Sequence, residues 1–203
     1  NHNPPSACFL RFFFHFSSDA IIVLTNAGVF RRPRSVDAYQ PEDNNMSDFK
    51  LAAIGLDTSH TVAFTTLLQG DKTPEDQKIT GLRVVRAMRF PSAFQAEEGQ
   101  NQRQAQLEAM GVQMASSFED AVKGVDGILL EMNDPAMHLE WVEKAVKAKL
   151  PIFLDKPLAA TLEEGKRIVD LAKKNNVRLW TASSCRFFER SEEHTSELQS
   201  RQV

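Results

Sequence analysis

Cysteine is almost missing from this sequence: Cys8 and Cys185 are the only two in 203 residues. They stand far apart and show no metal-ligand spacing. No disulfide framework and no zinc site follows from them, and a reducing cytoplasm is the expected compartment. An excess of one charge is missing too. The 24 Lys and Arg against 27 Asp and Glu leave a formal charge of −3, and no basic stripe stands out, which argues against a nucleic-acid partner. No apolar run is long enough to span a bilayer, so no membrane association is expected. Internal repeats and low-complexity segments are absent from the central region. What remains, 42% hydrophobic and 25% charged residues, suits one soluble globular domain with extensions.

The two ends differ from the middle. Residues 1–45 contain "CFLRFFFHF" and then the turn-rich "RRPRSVDAYQPEDNN", and the first methionine is Met46. A secretory signal needs an unbroken apolar core, which Asp19 interrupts. The segment reads as a non-native or disordered leader, with the domain starting at "MSDFKLAAIGL". Residues 190–203, "RSEEHTSELQSRQV", follow an apolar run without turn logic. With suitable codons this tail back-translates into a common sequencing-library adapter. It is therefore expected to be artefactual, and His194 and its acidic neighbours carry no functional reading.

Between residues 46 and 189 the apolar period alternates between that of strands and that of helices. "KLAAIGL", "LRVVRAM", "DGILLEM", "PIFLDKP" and "VRLWTAS" read as strands. "TVAFTTLLQG" and "NQRQAQLEAMG" read as helices closed by Gly70 and Gly111. Ser117 and Asp120 start a short helix that ends at Gly124. Asp134 before Pro135 reads as an N-cap beside a favourable first helical position. Its helix turns Leu139, Val142 and Val146 to one side. Thr161 and Glu164 form a capping box ahead of a helix that buries Ile168, Val169 and Ala172. Such alternation predicts an α/β fold, a doubly wound, Rossmann-like parallel sheet with helices on both faces.

Ligands of such sheets sit beyond the carboxyl ends of the strands. Three pieces fall there: "GLDTSH", "EMNDPAMH" and "LDKPLA". The first is where a dinucleotide fingerprint, G-x-G-x-x-G, belongs. Gly55 supplies the tight turn, but Asp57 stands at the second glycine position and His60 at the third. A phosphate about 5 Å from Asp57 would be repelled by roughly 3 kcal/mol at an effective dielectric near 20. Asp57, Thr58 or Ser59 could also cap the following helix and take the amides that would otherwise attract phosphate. At the end of the second strand Arg89 stands where NAD-preferring sites have an acid. It is either a partner for a 2′-phosphate, favouring NADP over NAD, or an exposed loop residue.

The run "FLDKPLAATLEEGKRIVDLAKKNNVRLWTASSCRF" resembles the Gfo/Idh/MocA family, the group of glucose–fructose oxidoreductase and inositol dehydrogenase. That family has Glu-Lys-Pro at the end of its fifth strand. Here the triplet is Asp155-Lys156-Pro157, one methylene shorter in its carboxylate. "MNDPAMH" is similar to the family's fourth-strand turn. The resemblance covers about residues 48–188. It implies an N-terminal dinucleotide domain ahead of a missing second α/β domain, with NAD or NADP as cofactor and hydride transfer at a carbohydrate-like hydroxyl. Lys156 inherits the role of orienting nicotinamide and substrate hydroxyl; it is otherwise a surface lysine beside Asp155. Asn133 and Asp134 line the cofactor edge, unless Asp134 is only a cap. His138 reaches toward the nicotinamide, or is packed or solvated. The fragment alone is expected to be inactive, with apolar surface near Phe187 and Phe188 uncovered. Homo-oligomerisation of the parent stays open. So does an alternative: a non-catalytic ligand-binding or regulatory protein on the same fold, with weakened nucleotide binding.

Overall fold

The computed structural model describes residues 48–181 and 183, apart from residue 76. The leader, the tail, Met46, Cys8, Cys185, Phe187 and Phe188 lie outside the described residues. The elements run β1 (Phe49–Ile54), α1 (His60–Gln69), β2 (Leu82–Met88), α2 (Glu97–Ala109), β3 (Gln113–Met114), α3 (Phe118–Ala121), β4 (Gly127–Leu130), α4 (His138–Ala145), β5 (Ile152–Leu154), α5 (Leu162–Lys174) and β6 (Leu179–Trp180). Single 3-10 turns precede and follow α4, at Pro135–Met137 and Val146–Ala148. Among the described residues no helix is long and apolar enough to cross a membrane.

All pairings in the sheet are parallel, in the order β3-β2-β1-β4-β5-β6. From β1 the chain winds outward through β2 and β3, then returns to lay β4, β5 and β6 on the other side. That reversal puts a crevice between the carboxyl ends of β1 and β4, the switch point where doubly wound sheets take ligands.

Alternation along the strands divides the core in two. Ala52 and Ile54 of β1, Ile128 and Leu130 of β4, and Ile152 and Leu154 of β5 face Trp141, Val142 and Ala145 of α4 and Ile168 of α5. Leu51, Ala53, Val84 and Leu129 face Leu68 of α1 and Leu107 of α2. Truncating any of the larger ones to alanine costs about 2–5 kcal/mol. Burial on both faces explains why β1 and β4 read as unbroken apolar runs.

Several ends are set by their caps. Ser117 accepts from the Asp120 amide, and Asp134 accepts from the Ala136 amide. Thr161 and Glu164 make the full reciprocal capping box. Helix α1 ends in a C-cap at Gly70, whose amide bonds to Thr66 O. Strand β3 has no counterpart in the sequence reading: two residues at the sheet edge are too few to show a period.

Candidate functional site

Gly55 ends β1 with φ of 108°, and a Cβ there would lie 2.3 Å from the carbonyl oxygen of Glu131. The chain leaving β1 therefore touches the backbone leaving β4, and only glycine fits. The Glu131 amide donates to Ile54 O, and the Thr61 hydroxyl donates to Gly55 O at 2.8 Å, tying the turn to α1.

Asp57, in the second glycine position, is buried at 3% exposure. Its carboxylate accepts from Ser92 Oγ at 2.8 Å and from the Asn133 amide at 3.1 Å. It thus ties the turn after β1 to the segments after β2 and β4. It does not cap α1. Ser59 is the N-cap residue and makes no side-chain cap bond, while Thr58 Oγ1 accepts from the His60 amide at 3.3 Å. The start of α1 is therefore not closed by a carboxylate, and its first amides remain the kind of place an anion seeks. Arg103 of α2 donates from Nη1 to Leu56 O at 2.8 Å, adding a cation next to the turn. On these grounds the turn fits a dinucleotide phosphate, with Asp57 turned inward and its charge spent on internal hydrogen bonds.

The His60 imidazole lies 2.6 Å from Asp155, Nδ1 to Oδ2, although 95 residues separate them. The other oxygen of Asp155 accepts from the Lys156 amide at 2.8 Å. Between them sits Glu131 at the end of β4, fully buried, with neither carboxylate oxygen hydrogen-bonded. Burial first, and the Asp155 charge second, push its carboxyl well above the usual carboxylate range, against a smaller opposing pull from Lys156. Lys156, exposed, follows Asp155 just past the carboxyl end of β5, the strand beside β4. Pro157 follows through a cis peptide bond.

The rim therefore collects Gly55, Asp57, Thr58, His60, Asn133, Asp155 and Lys156. Ser59 stands exposed at its edge. Asp134 is a cap, as its hydrogen bond to the Ala136 amide shows. His138 is the packed residue of the alternatives: it is 0% exposed, its ring nitrogens 3.3 Å from the carbonyls of Leu158 and Met132. It is packed under the two loops and does not face the crevice. Arg89 is half-buried just past β2 and bonded to Asn101 of α2. Sequence reasoning missed Ser92, Arg103 and above all Glu131. A carboxylate at the end of the apolar run "GILL" was the one available signal for the last.

Residues 92–183 match the model of the Gfo/Idh/MocA oxidoreductase family, NAD-binding Rossmann fold. A 45-residue stretch is 40% identical to dTDP-3,4-didehydro-2,6-dideoxy-alpha-D-glucose 3-reductase of Saccharopolyspora spinosa, covering 22% of this chain and 14% of that protein. The fold is similar to myo-inositol dehydrogenase from Lactobacillus casei, solved with NAD(H) and myo-inositol, at TM-score 0.56 and 19% identity over 76% of this chain and 42% of the other. Myo-inositol 2-dehydrogenase from Lactobacillus plantarum gives TM-score 0.55 and 19% identity, over 77% and 42%. The chain thus spans well under half the length of these relatives. Residues 92–183 thus carry the match to the Gfo/Idh/MocA oxidoreductase family, and the described domain has the NAD-binding Rossmann fold of that model.

Proposed function

We propose that this domain is the cofactor-binding half of an NAD(P)-dependent oxidoreductase that acts on a hydroxyl of a carbohydrate-like small molecule. The observation that carries the reading is the common rim: the Gly55 turn, the uncapped start of α1 and Lys156 all sit at the carboxyl edge of adjacent strands β1, β4 and β5. When bound, the nicotinamide supplies the hydride acceptor or donor. Thr58, Ser59 and the first amides of α1 hold the phosphates, Arg103 offsets their charge, and Arg89 selects the 2′-phosphate. Lys156 donates to the substrate oxygen and stabilises alkoxide character there. Asp155 fixes the lysine's backbone through its amide.

A second reading rests on Asp57. An anion fixed at the second glycine position lowers phosphate affinity, which favours a non-catalytic ligand-binding role on the same fold. Fluorescence titration of the chain with NADH and NADPH separates the two. The oxidoreductase reading expects saturable binding, tighter for NADPH, with the preference lost in Arg89→Ala. No binding at millimolar cofactor sinks that reading and leaves the second.

A further inference from the structure

We propose that His60, Glu131 and Asp155 form a binding site for one first-row divalent metal ion of the zinc type, at the inner side of the rim where the nucleotide turn enters α1. The three side chains come from the start of α1 and from the ends of β4 and β5. Their ligand atoms all lie within 4.8 Å of one another. A carboxylate–carboxylate–imidazole set suits zinc and its neighbours, whereas magnesium and calcium favour oxygen-only surroundings.

Glu131 supplies the independent reason to expect a cation. Both its oxygens are buried and unpartnered, and a fold rarely keeps such a group without use. It also faces a second carboxylate, Asp155, itself 3% exposed. The Lys156 ammonium offsets part of that charge but makes no hydrogen bond to Glu131. A divalent ion would cancel both carboxylates and give the orphaned oxygens a ligand.

The geometry needs one adjustment, an opening of the histidine–aspartate pair. His60 Nδ1 and Asp155 Oδ2 already lie 2.6 Å apart. An ion bound tetrahedrally at about 2.0–2.2 Å from each donor sits between the two and opens the pair to roughly 3.3–3.6 Å. Asp155 Oδ1 stays fixed by the Lys156 amide, which orients the oxygen left for the metal. Three protein ligands leave a coordination position open, the pattern of zinc sites that polarise a ligand oxygen rather than merely brace a fold. The His60 side chain, 34% exposed, gives that position a way out to solvent.

The test uses the full chain, stripped with a chelator and dialysed, with no nucleotide present, so its result does not depend on the oxidoreductase reading. Zn²⁺ is titrated calorimetrically, and Co²⁺ is followed by visible absorption. The expected result is one equivalent per chain and a cobalt spectrum without thiolate charge transfer. Glu131→Gln and His60→Ala should each weaken binding by roughly 100-fold or more, while His194→Ala leaves it unchanged. Circular dichroism shows whether each variant folds. Should neither fold, the cobalt spectrum of the unmutated chain decides alone. The proposal is overturned by absent or substoichiometric binding, by thiolate bands, or by affinity that survives in folded Glu131→Gln and His60→Ala.

Discussion

Two acidic side chains are buried on the same edge of the sheet and have opposite surroundings. Asp57 follows β1 and has a donor for each oxygen, Ser92 Oγ and the Asn133 amide. Glu131 ends β4 and has none. Burial is nearly the same, 3% and 0%, so exposure does not separate them; hydrogen bonding does. A satisfied carboxylate binds loops together, and charge-assisted bonds of this sort contribute about 1.5–3 kcal/mol each. An unsatisfied one weakens the apoprotein and is retained for a ligand.

Mutation can break this contrast. The largest effect is expected for Asp57→Ala, which strands the Asn133 amide and the Ser92 hydroxyl. A loss of about 3 kcal/mol, or a fall in Tm of roughly 6–12 °C, should appear in thermal denaturation. A change under 1 °C would show that Asp57 ties nothing together. Glu131→Gln should act in the other direction in chelator at pH 7–8, raising stability by about 1–3 kcal/mol, because the amide is neutral in the buried site without taking up a proton and can donate to Asp155. The sign with pH follows from the raised carboxyl. In the unfolded chain Glu131 loses its proton near pH 4.3, and in the folded chain it does so higher. Unfolding free energy therefore falls as pH rises through that interval, and the advantage of Glu131→Gln shrinks as pH drops below it. An advantage that does not change between pH 4 and 8 would contradict the asymmetry. The smallest effect belongs to Ser92→Ala, about 1 kcal/mol, since Asp57 keeps the Asn133 amide. A larger loss than in Asp57→Ala would place the anchor at Ser92 instead.

Much of the scaffold was legible because it is local. The capping box at Thr161 and Glu164, the Asp134-Pro135 start and the apolar runs of β1, β4 and β5 are written within a few residues each. Lys156 and Gly55 were found because they end strands. The rest is tertiary. His60 and Asp155 meet only because the strand order puts β1, β4 and β5 side by side. In the sequence His60 was merely a residue where glycine was expected. Glu131 looked like the polar end of a strand; the close approach of Gly55 to its backbone comes from another strand. For the same reason no spacing betrayed a metal site, since its three ligands are 71 and 24 residues apart. For His138 the sequence left two readings open, and burial of its ring selects the packed one.

The contact of Gly55 with the Glu131 carbonyl has a mechanical consequence. Two main chains meet there with no side chain to act as a spacer or a bearing, so neither can slide past the other. Whatever tugs on the first loop drags the fourth strand's end with it, and a molecule seated on one is felt at once by the other.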